Sequence, residues 1–187
     1  MNCIEHKIDE SAIISPDTHI IGNGLLIIKP FAVIEANVLI DLGKTGTVII
    51  GNRAKLKYGC VIRSYDGKIV IGERTTICEY SILAGHGDII IGDFVAIAGH
   101  CYIAASNHIF SSQDPIRFQG ETAFGIEIQN NVWLGARSTI LDGVKIGEGC
   151  VVGAGSVVTR DLKNNFVCVG VPCKEKYLRN DNSKVRS

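Results

Sequence analysis

The sequence predicts an all-β solenoid, a parallel β-helix, and three columns of residues predict it. From Ile128 onward an aliphatic returns every six residues, at Ile128, Leu134, Ile140, Ile146, Val152 and Val158. A helix returns side chains to one face about every 3.6 residues and a strand every two, so this period belongs to neither alone; it belongs to a chain coiling through flat faces. The residue four after each aliphatic is small or slender: Val132, Ser138, Val144, Cys150 and Ser156. Glycine follows the aliphatic directly at Gly135, Gly147 and Gly153, where a sharp turn with little side-chain volume is expected.

Taken in order, residues 1–20 read as an N-terminal cap. Ile21, Ile27, Val33 and Leu39 then form a first aliphatic run, followed by Ile50, Leu56 and Ile62, by Ile71, Ile77 and Leu83, and by Ile91, Ile97 and Ile103. Between runs the step lengthens to 11, 9, 8 and 25 residues, so residues are inserted at corners while the inward column resumes. With three hexads to a coil of 18, Ile128 would have stood at position 109, which makes 19 residues extra. Most of them form an external loop, 109–125, directly after His108. The solenoid is expected over 21–163 and a closing segment with a tail over 164–187. In that segment Val171-Pro172 ends the coils, 174–179 is expected as a short helix, and 180–187 is polar enough for disorder.

Composition suits one such domain. Of 187 residues 46% are hydrophobic, with 21 glycines and only four prolines, enough to bury a continuous aliphatic column. The net charge is zero and no basic stripe interleaved with aromatics appears, which argues against a nucleic-acid partner. The start MNCIEHKIDE carries no apolar leader core, and no run approaches the roughly 18 apolar residues of a membrane span. A cytoplasmic protein is expected. Seven cysteines, an odd number without a Cys-x-x-Cys pair, offer neither a metal site nor a disulfide framework. Cys60, Cys101 and Cys150 fall in the small-residue column as buried hydrophobes. Cys3, Cys78, Cys168 and Cys173 have no place in the repeat, and free thiols suit a reducing compartment.

With the hexads, the insertion after a histidine, and the strings NVWLGARSTILDGVKIGEGCVVGAGSVVTRDL and VGVPCK, the chain resembles the hexapeptide-repeat acyltransferases. It is most similar to the branch of galactoside and maltose O-acetyltransferases and of O-acetyltransferases from surface-polysaccharide clusters. The resemblance implies a left-handed winding, although parallel crossovers are right-handed in nearly all folds. It further implies a homotrimer, acetyl-CoA as donor, and active sites shared between neighbouring subunits.

His108, in AASNHIF, stands where the family keeps its catalytic histidine. A sugar hydroxyl is a poor nucleophile and must lose its proton as it attacks a thioester, a general-base task that imidazole suits. The other histidines, His6, His19, His86 and His100, read as surface or interface residues. Transfer in such enzymes is direct, so no Cys or Ser is assigned as nucleophile. Backbone N–H groups would stabilise the oxyanion, with Gly135 a candidate. Trp133, the only tryptophan, occupies the family's Trp-x-Gly position, beside the acyl-donor arm or in trimer packing. Ala136 and Ala154, 18 apart, are expected to stack and line the donor groove. Thr159 and Arg160 follow where the family usually has Thr-Lys, and Lys174 is the next cation for the coenzyme's phosphates. Tyr177 departs from the family, whose galactoside members tend to carry arginine there, and the family's N-terminal acceptor helices are not recognisable in 1–20. Asp114, Arg117 and Phe118 in the loop either touch the acceptor or clasp a neighbouring subunit.

The activity so implied is O-acetylation of a sugar, in surface-polysaccharide biosynthesis. The alternative is N-acetylation of an amino sugar or its nucleotide-linked form. A γ-carbonic-anhydrase-type metalloenzyme is the remote alternative; it resembles a pattern with two histidines five apart and a third one or two coils earlier, whereas His100 and His108 are eight apart. A purely structural β-helix gains nothing from ordering a long loop beside a histidine.

Overall fold

The computed structural model describes residues 6–180. They wind into a left-handed parallel β-helix of seven coils, each contributing a strand to each of three faces. The first face stacks Lys7–Ile8, Leu25–Ile28, Thr47–Ile50, Lys68–Ile71, Ile89–Ile91, Ile126–Ile128 and Lys145–Ile146. The second runs from Ile13–Ile14 through Trp133–Leu134 and Val151–Val152 to Phe166–Val169 and Lys174–Leu178. The third runs from His19–Ile21 through Tyr102–Ala104 and Thr139–Ile140 to Val157–Val158. Among the described residues no helix is long and apolar enough to cross a membrane.

Register places like on like along the axis: Ile50 pairs with Ile71, Ile71 with Ile91, Ile91 with Ile128, and Ile128 with Ile146. These side chains are fully or almost fully buried, each contributing about 1.5–3 kcal/mol of hydrophobic stabilisation. The small-residue column lies beside them, with Cys60, Cys101, Cys150, Ser138 and Ser156 all buried. Burial pushes the Cys60 thiol up to about 12, which makes it inert packing. Cys168 and Cys173 are buried as well, Cys78 is half-buried, and Cys3 lies outside the described residues.

The structure corrects the phase of the first run. The inward residues are Ile28, Ile34 and Ile40, whereas Ile21 is 48% exposed. Each hexad there carries an aliphatic doublet, such as Ile27-Ile28 or Val33-Ile34, so a period alone cannot choose between its members; pairing of Ile28 with Ile50 and of Ile34 with Leu56 does. The column also starts earlier than expected. Ile8, Ile14 and Ile20 pair with Ile28, Ile34 and Ile40, so the segment expected as a cap is itself the first coil. At the other end Lys174–Leu178, expected as a short helix, is a strand antiparallel to Phe166–Val169, because it pairs with the last open edge of the second face. The tail expected from 180 lies, from 181 on, outside the described residues.

The turns are also made differently. Glycine directly after the aliphatic does not supply the turn; the chain enters the left-handed region three residues after it. Among the described residues eleven non-glycine residues do so, including Phe31, Arg53, Tyr65, Tyr80, His100 and Arg137, with φ between 51° and 61°. Each costs about 1–2 kcal/mol in intrinsic strain. Hydrogen bonds down the axis offset it: the N–H of Arg53 donates to Pro30 (3.0 Å), of Phe94 to Glu73 (2.8 Å) and of His100 to Glu79 (2.9 Å). Gly135 and Gly153 are needed for closeness instead. A Cβ on Gly135 would lie 2.5 Å from the Ala154 nitrogen, and one on Gly153 would lie 2.7 Å from Val169.

With the phase corrected, every lengthened step falls at one corner, where the third face returns to the first. There the chain takes 8, 10, 9, 8 and 25 residues between inward positions (Ile20 to Ile28, Ile40 to Ile50, Ile62 to Ile71, Leu83 to Ile91, Ile103 to Ile128). The His108 loop is the largest of a series of insertions stacked along this edge.

Candidate active site

The loop leaves the third face after Ala104 and folds back on itself. Asn107–His108 pairs antiparallel with Glu121–Thr122, setting His108 opposite Glu121, and Ile116–Phe118 makes a single 3-10 turn at the far end. The Gln119 side chain closes that end by donating to the carbonyls of Asp114 (2.6 Å) and Ser112 (3.3 Å) and accepting from the Ser112 N–H (3.0 Å). The base is fixed by Asp142, whose carboxylate accepts from the Thr122 hydroxyl and from the N–H groups of Phe124 and Gly125 at 2.9–3.1 Å.

His108 stands at this base with its side chain 59% exposed and its Nδ1 3.5 Å from Glu121 Oε1. The other carboxylate oxygen of Glu121 lies 3.6 Å from Nδ1 of His86. His86 in turn stacks on Tyr65, with ring centroids 3.6 Å apart and planes 26° apart. Both residues stand at the insertion-bearing corner, on the two coils beneath the loop. A carboxylate facing Nδ1 favours the Nδ1–H tautomer and leaves the Nε2 lone pair free. Glu121 and His86 carry no mark in the sequence. Glu121 reaches His108 only through a hairpin ladder outside the hexad period, and His86 occupies an ordinary corner slot. His100, by contrast, stacks on Tyr80 at the corner between the second and third faces. Among the described residues no three His, Cys, Asp or Glu side chains gather as a metal-binding group.

The donor-side candidates fall into two places. Ala136 and Ala154 stack on adjacent coils at the corner between the second and third faces, where the Gly155 N–H donates to the Ala136 carbonyl at 2.8 Å. The equivalent N–H is capped by a side chain at Tyr58 (Glu35), Glu73 (Asp93) and Glu148 (Gln129 and Asn164). Those of Ala136 and Ala154 have no partner among the described residues, which leaves two donors at coil spacing. The Gly135 N–H, expected as an oxyanion donor, is already given to the Val152 carbonyl at 2.7 Å, because it belongs to the ladder between coils. Trp133 stands on the outer side of the second face, 54% exposed, between Ala96 and Val151. Thr159 and Arg160 follow the last strand of the third face, and Arg160 and Lys174 share a hollow of about 290 Å³ with Asp161, Lys163 and Glu175. In the loop, Asp114 accepts from the Ser112 hydroxyl, Arg117 lies in the 3-10 turn, and Phe118 is 78% exposed. The chain therefore joins His108 to Glu121 and His86, Ala136 to Ala154, and Arg160 to Lys174. Ala136 and Ala154 stand at a different corner from His108, Glu121 and His86.

Residues 125–160 match the family model described as bacterial transferase hexapeptide (six repeats). The chain is 37% identical over 123 residues to a galactoside O-acetyltransferase of Escherichia coli strain K12, an alignment spanning 65% of this chain and 59% of that protein. Thus the chain spans less than two thirds of that relative's length. Among solved structures it resembles a maltose O-acetyltransferase from Clostridium difficile 630, with a TM-score of 0.62 and 30% identity over 69% of this chain and 68% of that one. It also resembles a hexapeptide-repeat acetyltransferase from Vibrio cholerae O1 biovar eltor complexed with acetyl coenzyme A, with a TM-score of 0.62 and 28% identity over 71% of each chain.

Proposed function

The chain belongs to the hexapeptide-repeat acyltransferase family, and from that premise we propose that it is an acetyl-CoA-dependent O-acetyltransferase acting on a sugar hydroxyl, such as that of a surface-polysaccharide unit made in the cytoplasm. The observation that carries this reading is His108, an exposed imidazole on the inserted loop whose Nδ1 faces the Glu121 carboxylate. With Nδ1–H held there, Nε2 is free to take the hydroxyl proton as the oxygen attacks. The same nitrogen then carries the proton to the departing sulfur. Acetyl-CoA supplies an activated acyl group as a thioester. Ala136 and Ala154 fit its amide-bearing arm through their unpaired N–H groups, with Trp133 on the adjacent face beside that arm. Thr159, Arg160 and Lys174 fit its phosphates. Asp114, Arg117 and Phe118 are the acceptor contacts of this reading.

The separation of the loop edge from the Ala136 and Ala154 edge supports a homotrimer. A loop on one edge of a chain meets a donor groove on another edge only if the groove belongs to a neighbouring copy. The test is thiol release from acetyl-CoA across a panel of sugars, amino sugars and sugar nucleotides, with the product's linkage read by NMR. An O-acetyl ester on at least one sugar is expected. Acetylation confined to amino groups would overturn the choice of acceptor atom.

A further inference from the structure

We propose that His86 is a positioning residue for the His108 base, acting through Glu121; this rests on the acetyl-transfer reading above. His108 and Glu121 both ride on the inserted loop, so their contact alone does not tie the base to the solenoid. His86 does, because its Nδ1 faces the second oxygen of the same carboxylate at 3.6 Å while His108 faces the first at 3.5 Å. A carboxylate with an imidazole Nδ1 facing each of its oxygens links the orientation of one ring to that of the other.

His86 is itself held from below and from both sides. Its ring lies on Tyr65, one of the left-handed corner residues. Its neighbours are glycines packed too tightly for a side chain: a Cβ on Gly85 would meet Ile69 at 2.8 Å, and one on Gly87 would meet the Gly125 nitrogen at 2.8 Å and the Ala105 carbonyl at 2.9 Å. Asp142, the other carboxylate at the loop base, is committed to Thr122, Phe124 and Gly125. The contacts therefore run from the coil through Tyr65, His86 and Glu121 to His108, ending at a reactive nitrogen.

Two variants and two readouts test this. His86→Phe keeps a ring to stack on Tyr65 but lacks the N–H. It is expected to lower kcat about tenfold with an unchanged KM for acetyl-CoA, as loss of a supporting contact does. His86→Asn places an amide N–H where Nδ1 stood and is expected to restore most of the loss. Nitrogen NMR of histidine-labelled protein, with the His108 signal assigned by its loss in His108→Gln, is expected to show the Nδ1–H form of His108 in the parent and a mixture in His86→Phe. The ring signal needs no acceptor, so it judges the role of His86 even if sugar acetylation fails. An unchanged His108 ring and kcat in His86→Phe would overturn the proposal, as would an Asn variant no better than Phe. Should His86→Phe lose the coil fold, Glu121→Gln reads the same link from the other side: both rings are expected to lose their Nδ1–H preference, and a change at His108 alone contradicts it.

Discussion

At the scale of single residues, the carboxylate of Glu121 faces Nδ1 of His108, and nothing in the hexad columns signals it. His108 itself is legible in the sequence because it directly precedes the break in the period. Its partners are not, since a ladder 13 residues deep in a hairpin (His108 opposite Glu121) has no one-dimensional signature. Arg160 and Lys174 are legible as cations, but their shared hollow is visible only in the fold, which brings the closing strand back beside the last coil. Phosphate contacts far from the reacting carbonyl act in ground and transition states alike. Arg160→Ala is therefore expected to weaken acetyl-CoA binding about tenfold or more with a modest loss in kcat, measured by calorimetry and steady-state rates. A fall in kcat alone would place Arg160 in the chemistry.

At the scale of elements, stacking fixes more than the period can. The hexad count revealed the solenoid and its loop, but the phase of the first run and the membership of the first coil were hidden by aliphatic doublets, and only coil-to-coil register resolves them. Glycines divide into two kinds for the same reason. A methyl on Gly135 would sit 2.5 Å from one backbone nitrogen and 2.8 Å from a carbonyl oxygen, neither of which can move without shifting a coil. Gly155, at φ 69° with nothing within 4 Å of a Cβ, would pay only the left-handed strain. Gly155→Ala is expected to cost about 1–2 kcal/mol, and Gly135→Ala clearly more, read as the larger drop in Tm. Equal drops would refute the close-approach account.

At the scale of the whole molecule, the solenoid carries the His108 loop on one edge and the stacked Ala136 and Ala154 on another. The loop lies outside the inward columns, so replacing 111–118 with a short Gly-Ser bridge is expected to leave Tm nearly unchanged while turnover on the acceptor falls. Unfolding would make the loop a structural clasp instead. Light scattering is expected to give three times the chain mass, and a fully active monomer would contradict a site shared between copies. The central claim is that His108 removes the acceptor proton while other groups hold the donor. Its most direct measurement is single-turnover acetyl transfer by His108→Ala with its acetyl-CoA affinity measured alongside. The rate is expected to fall by about 10²–10⁴ with affinity unchanged; transfer at the parent rate would contradict the mechanism.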